Sequence, residues 1–203
     1  MAVSTIIFDI GRVLIEYEFS ADLVAIEALC SRGLEPEDYR GRLRLDDLYT
    51  RRIDNVAVFD RLVEQLGFQS NYGAFVNAIN QGFGAVVPGI AVVVSELSSS
   101  YQLALLSNTN AVHWEYALSN YSALLGEVTP HFVSHELGLA KPEAAIYRHV
   151  TTERGVAPAD CVFIDDHAPN IDGARRAGLE AILLTDSAQL VSDLASYGVD
   201  ASG

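Results

Sequence analysis

Positive charge is what this sequence has least of: 13 Lys and Arg stand against 27 Asp and Glu, a formal net charge of -14 over 203 residues. So acidic a chain is a poor match for nucleic acid or an anionic membrane, and an anionic substrate would need a locally positive site or a metal. Cysteine is almost missing. Cys30 and Cys161 lie far apart, with no CxxC or Cys/His spacing. That argues against a disulfide framework and a structural zinc, and makes a reducing cytoplasm the expected setting. Long apolar runs are missing too. Nothing approaches the roughly 18 consecutive apolar residues of a membrane span. The first apolar run is broken by Asp9 and has no basic segment before it, so no targeting segment is expected. There is no internal repeat and no low-complexity tract.

What is present suits a buried core. Half of the residues are hydrophobic, and the length accommodates one α/β domain with a modest insert. Thr5-Ile6-Ile7-Phe8 reads as a buried strand with Asp9 at its end. Further apolar strands are expected at 102–106, 161–164 and 181–184, with a shorter one at 132–133. Between and after them, helical periodicity is expected over 88–98, 112–118, 142–154, 169–177 and 188–197. Strands alternating with helices imply parallel pairing and right-handed crossovers.

The stretch from Phe19 to Ala85 differs, reading as helices without a strand. They are expected at 21–32 with Ser20 as N-cap, at 36–48, at 56–66 with Asn55 as N-cap and Gly67 as stop, and at 72–83. The expected fold is therefore α/β, a doubly wound (Rossmann-like) parallel sheet core with an inserted all-helical cap. Residues 1–18 and 86–203 would form the core and 19–85 the cap.

Three strand ends carry polar groups: Asp9, Ser107-Asn108 and Asp165-Asp166. In a parallel sheet all carboxyl ends share one edge, so these groups can converge. Three carboxylates brought together repel unless a cation sits among them. All are hard oxygen donors, which suits Mg2+. Ser107, with backbone amides around Asn108 and Thr109, has the chemistry to hold phosphate oxygens, and Lys141, just before Pro142 at the start of a helix, can neutralise a transferring group. Taken singly, each has an ordinary alternative. Asp9 would cap a strand, Ser107 would sit in a turn, Lys141 would be a surface lysine, and Arg12 would stand either at a pocket mouth or simply in the turn.

Phe8-Asp9-Ile10-Gly11, Leu105-Leu106-Ser107-Asn108, Lys141-Pro142 and Ile164-Asp165-Asp166, in that order, resemble the haloacid dehalogenase-like hydrolase superfamily along essentially the whole chain. The helical insert is similar to the lid of its helical-cap subfamily. Asp165-Asp166-His167-Ala168-Pro169-Asn170-Ile171 resembles the sugar-phosphatase-like branch, in which Gly often stands two residues after the nucleophile. The resemblance implies that Asp9 is the nucleophile and passes through an aspartyl-phosphate. It implies that Asp9, the Gly11 carbonyl, Asp165 and Asp166 hold Mg2+. Ser107 would bind the phosphoryl group, Lys141 would pair with phosphate and carboxylates, and Asn170 would orient Lys141 or the loop after its strand. Ser107, Asn108, Arg12 and Asn170 make up the expected substrate-binding set.

One departure stands out. Most phosphatases of the superfamily carry a second Asp where this chain has Gly11, as proton donor and base. Help of that kind is worth ~10²–10⁴ in rate. Glu16, Glu18, His113, His167 or a metal-held water are the candidate replacements. The expected function is a Mg2+-dependent phosphatase acting on a small phosphorylated metabolite of the sugar-phosphate kind, as a monomer or small homo-oligomer. The alternatives are a metal-independent 2-haloacid dehalogenase and a catalytically silent domain that binds a phosphorylated ligand or a protein.

Overall fold

Period-two alternation along the apolar strands decides the architecture. Ile6 and Phe8 face one side of the sheet with Leu103, Leu105, Val162 and Ile164, while Ile7 faces the other with Ala104, Leu106 and Phe163. A sheet apolar on both faces needs helices on both, which is the condition for a parallel, doubly wound arrangement. The computed structural model, which describes residues 3–33 and 36–201, has that arrangement.

The chain starts with β1 (Thr5–Phe8) and then a short β2 (Ile15–Tyr17). The helices α1 (Phe19–Glu27), α2 (Pro36–Arg42), α3 (Leu45–Tyr49), α4 (Asn55–Arg61) and α5 (Tyr72–Ala78) come next, α4 running on into a π turn over Leu62–Leu66. After β3 (Phe83–Val86) come α6 (Ile90–Ser98), β4 (Gln102–Ser107), α7 (Ala111–Asn120), α8 (Ser122–Glu127), β5 (His131–Val133) and α9 (Ser134–Leu137). The last part holds α10 (Ala144–Arg154), β6 (Cys161–Asp165), α11 (Ala168–Arg176), β7 (Glu180–Leu183) and α12 (Leu190–Ser196).

The main sheet is five-stranded in the order β5-β4-β1-β6-β7, and every pairing in it is parallel. Ile90, Val94 and Leu97 of α6 and Leu190 and Leu194 of α12 cover one face. Ile146, Tyr147 and Val150 of α10 and Ile171 and Ala174 of α11 cover the other. Each such side chain contributes about 1.5–3 kcal/mol on burial. Strand order reverses beside β1, so the carboxyl ends of β1, β4 and β6 open on one crevice.

Helices α1 to α5 gather around an apolar cluster of their own that includes Ile26, Tyr39, Leu43, Leu62, Leu66 and Phe75. Several local expectations change here. The N-cap of α1 is Glu18, which accepts from the Ser20 amide, and the helix stops at Glu27 rather than near residue 32. Asp54, not Asn55, caps α4. The helix expected over 36–48 is two, because Arg44 takes a left-handed conformation at φ 56°. The stretch expected to lack strands holds β3, which pairs antiparallel with β2 to make a two-stranded flap. Both strands are short, and β3 contains a glycine, so neither announces itself by periodicity. The short helices α8 and α9 were not expected.

Both cysteines are free thiols. Among the described residues, no helix is long and apolar enough to cross a membrane.

Candidate active site

Asp9 follows β1, its amide donating to the Ile164 carbonyl of β6 at 2.9 Å. That bond ties the two central strand ends together and sets Asp9 beside Asp165 and Asp166, with one oxygen from each carboxylate within 4.8 Å of the others. Lys141, the only lysine in the sequence, reaches into this group. Its Nζ lies 2.8 Å from Asp9 Oδ1 and 2.6 Å from Asp165 Oδ2, and stands over the Phe163 ring.

Three neighbours place that lysine. Asn108 clasps its backbone, donating Nδ2 to the Lys141 carbonyl at 2.8 Å and accepting from the Lys141 amide at 2.9 Å. Gly173 lets α11 lie on the same turn, since a Cβ there would come within 2.5 Å of the Pro142 carbonyl oxygen. Tyr147 donates to the Asn170 carbonyl at 2.7 Å and fixes the first turn of α11. The helix α10 starts at Ala144 rather than at Pro142, so Lys141 stands in the turn ahead of it.

Asp165 is fully buried and well supplied with donors. Besides Lys141, the His167 amide donates at 2.8 Å and the Asn170 side-chain amide reaches both carboxylate oxygens at 3.1 and 3.0 Å. Asn170, expected on the substrate, on Lys141 or on the loop after its strand, holds Asp165 at that strand's end. Asn108, also expected on the substrate, gives its side chain to Lys141. The Thr109 amide, expected to be available to phosphate, donates instead to Ser134 Oγ at 3.0 Å. Ser107 is buried at the end of β4.

Arg12 has a left-handed backbone at φ 59°. It joins Glu18 at 2.9 Å and stands 3.8 Å from Asp166. A cavity of about 400 Å³ runs from Asp9, Ser107 and Lys141 out to Arg12 and Arg40.

The charges respond to this burial. Burial pushes the Asp9 carboxyl up to about 6, against the pull of Lys141, and Asp165 adds to the rise. Asp166 is also raised, by burial and then by Asp165. Lys141 feels burial too, but Asp9 and Asp165 outweigh it and hold its pKa above the ordinary lysine value. The ammonium therefore persists.

A second buried group adjoins the same cavity, which it reaches through Tyr17, Phe83 and His113. Tyr17 of β2 donates its hydroxyl to Asp22 Oδ2 at 2.5 Å, and the Gly82 amide donates to Asp22 Oδ1 at 2.6 Å. His113 Nε2 lies 3.9 Å from the same carboxylate. The Tyr17 ring packs against Phe83 and His113. Burial pushes Asp22 up to about 6 and His113 down to about 4. Of this group the sequence pointed only to His113. Asp22 lies in a helix where an acidic residue reads as solvated, and nothing in the spacing of 17, 22, 82 and 113 marks a cluster. Of the other candidate proton donors, Glu18 is fixed by its hydrogen bonds to the Ser20 amide and hydroxyl and to Arg12, which hold its carboxyl below the usual range. Glu16 does not line the cavity, and His167 sits exposed at its rim.

The family model of the haloacid dehalogenase-like hydrolases matches residues 3–178. The chain is 25% identical over 214 residues to phosphatase MT3486 of Mycobacterium tuberculosis (strain CDC 1551 / Oshkosh), covering 100% of this chain and 99% of that protein. It is 24% identical to the D-ribitol-5-phosphate phosphatase of Bacteroides thetaiotaomicron, covering 88% of this chain and 90% of the other. Among solved structures, the HAD family enzyme BT-2542 of Bacteroides thetaiotaomicron, in complex with magnesium and inorganic phosphate, superposes with a TM-score of 0.80 at 22% identity, covering 92% of this chain and 96% of that one.

Proposed function

The chain belongs to the haloacid dehalogenase-like hydrolases, and within that family we propose that it is a Mg2+-dependent phosphatase of small phosphorylated metabolites, of the sugar-phosphate class, acting through Asp9. One observation carries this reading. Three buried or half-buried carboxylates gather around one buried ammonium, which pairs with two of them, and with the Arg12 charge met by Glu18 a double negative charge is left at the end of the sheet. A divalent cation with a preference for oxygen matches both the charge and the donors. Asp9, Asp166, Asp165 and the Gly11 carbonyl would hold it. Asp165 already accepts from several donors, whereas the nearest cation to Asp166 is Arg12 at 3.8 Å, so Asp166 has the freer oxygens to offer. When bound, the ion supplies charge neutralisation at the phosphoryl oxygens.

The protein's own groups do the rest in this reading. Asp9 attacks phosphorus, expels the alcohol and carries the phosphoryl group until water removes it. Lys141 orients the Asp9 carboxylate and offsets charge on the transferring group, while Ser107 and the Asn108 backbone receive phosphoryl oxygens. Arg12 stands at the mouth. Residues 19–85 act as a cap over 1–18 and 86–203, keeping water out and shaping the space for the leaving group. The relatives support the substrate class, one being a phosphatase of a polyol phosphate and another a structure with magnesium and phosphate bound. Attack on a carbon–halogen bond would need no cation and would leave the Asp165–Asp166 pair without a task.

The test is phosphate release from a panel of sugar and polyol phosphates and from p-nitrophenyl phosphate, with Mg2+ and with a chelator. Turnover that requires Mg2+ and vanishes in Asp9→Asn is expected. Folded protein with no metal-dependent turnover on any of them would sink the reading.

A further inference from the structure

Expelling an alcohol from a phosphate ester leaves an alkoxide, and a group that donates a proton to it lowers the barrier. Two residues after Asp9 there is no side chain to do this. The space beside Gly11 is bordered instead by Tyr17. A Cβ on Gly11 would find Tyr17 Cβ and Cδ1 as its neighbours, at 3.8 and 3.9 Å, and Tyr17 lines the cavity shared with Asp9. Behind the Tyr17 hydroxyl, 2.5 Å away, lies Asp22, only 2% exposed. It is a buried carboxylate behind the cavity wall that the carboxylate–lysine cluster does not use.

Resting on the phosphatase reading above, we propose that Tyr17 and Asp22 form a two-member proton relay for the leaving group, with Tyr17 as the catalytic residue and Asp22 as the positioning residue that resupplies it.

The surroundings of Asp22 suit a proton store. From β2 it faces the Tyr17 phenol, from the segment after α5 the Gly82 amide, and from α7 the His113 imidazole, which burial keeps neutral. Tyr49 of α3 lies within its electrostatic reach, and Glu18, at the start of its own helix, is turned to Arg12. These partners solvate a carboxylate only in part. Burial therefore raises Asp22 to about 6, near where a general acid works best at neutral pH.

The proton accounting closes. With Asp22 protonated, its O–H donates to Tyr17 Oη and turns the Tyr17 hydrogen toward the cavity. As the oxygen–phosphorus bond to the alcohol breaks and the Asp9–phosphorus bond forms, the Tyr17 proton passes to the departing oxygen and the Asp22 proton replaces it on Tyr17. In the second half, water forms its bond to phosphorus and the bond to Asp9 breaks. Both water protons stay on the product as H2PO4−, which then returns one through Tyr17 to Asp22 before it leaves, so the bond-breaking of this half does not depend on the relay.

The test compares leaving groups. An alkyl phosphate such as ribitol 5-phosphate needs a proton on its alkoxide, whereas p-nitrophenolate departs without one. Tyr17→Phe and Asp22→Asn should each lower kcat on the alkyl phosphate by ~10²-fold or more, far beyond their effect on p-nitrophenyl phosphate. In the wild type, kcat on the alkyl phosphate should fall as pH rises past the Asp22 pKa, and that limb should be missing in Asp22→Asn. Equal losses on both substrates, or losses confined to KM, would overturn the relay. Should Asp22→Asn not fold, Tyr17→Phe decides alone, with its p-nitrophenyl phosphate turnover as the check on folding. If the wild type hydrolyses neither substrate, the phosphatase reading fails and the relay fails with it. If Asp9→Asn abolishes p-nitrophenyl phosphate turnover while the two relay variants treat both substrates alike, the relay alone fails.

Discussion

Two groups of buried acids adjoin one cavity, one reaching it through Asp9 and Lys141 and the other through Tyr17, and they are solvated in opposite ways. At the sheet edge, Asp9 and Asp165 share the ammonium of Lys141 at 2.8 and 2.6 Å. Behind Tyr17, Asp22 faces a phenol and a backbone amide at 2.5 and 2.6 Å and a neutral imidazole. The first group is built around formal charge and has more negative than positive. The second has dipoles and no formal positive charge. A site meant to receive a cation needs the first arrangement, and a group meant to gain and lose a proton is served by the second. The difference also predicts how each side fails.

The largest effect should come from removing the ammonium. Lys141→Met leaves Asp9 and Asp165 buried without their cation, a change that costs about 3–5 kcal/mol. Urea unfolding should show that loss, and Mg2+ should restore part of it by replacing the missing positive charge. A loss that Mg2+ leaves untouched would break the contrast between the two sides.

A smaller effect should come from titrating Asp22. Its pKa is raised from 3.8 in the unfolded chain to about 6 in the fold, so the native state holds the proton more tightly. Its contribution to stability is therefore fully present below about 4 and is lost as pH rises to about 6, a swing of about 3 kcal/mol. Asp22→Asn should remove this portion of the pH dependence, with or without Mg2+, as read from urea midpoints at a series of pH values. A slope unchanged in the variant would place the titration elsewhere.

The smallest effect belongs to the contact that docks the two halves away from either acid group. Asn55, in the helical segment, donates to Asn110 at 3.0 Å, and Asn110 also caps α7. Asn55→Ala should cost about 1 kcal/mol, measurable in the same unfolding experiment, and leave the Mg2+ response of Lys141→Met and the pH slope of Asp22 as they are.

The sheet-edge group was legible in the sequence and the flap-side group was not, for a physical reason. A buried parallel strand is an apolar run, so Asp9, Ser107 and Asp165 stand out where Thr5–Phe8, Gln102–Ser107 and Cys161–Asp165 end. Parallel pairing then brings those ends together without any further information. Asp22 has no such frame. Whether an acid in an amphipathic helix points to water or inward depends on what packs over it, here β2, Gly82 and α7, which are distant in sequence. Gly82 shows how tight that packing is, since a Cβ there would lie 2.7 Å from the Glu18 carbonyl oxygen. The side-chain partners of the asparagines were hidden for a related reason. Asn108 and Asn170 stand where a substrate would be met, but a side-chain amide serves equally well to hold a lysine turn or a carboxylate, and residue type alone does not tell the two apart. Cap positions were misplaced where two capping residues adjoin, as at Asp54 and Asn55, because either can accept from the first-turn amides.

The solitary lysine turns the chain into its own reporter. With a single side-chain amine in the sequence, and that amine only 1% exposed, an amine-acylating reagent has one side-chain target and meets it only when the crevice opens. The rate of acylation would then clock opening of the crevice. Isotope labelling at lysine would give one side-chain resonance, seated among the acids, that moves when their charge changes.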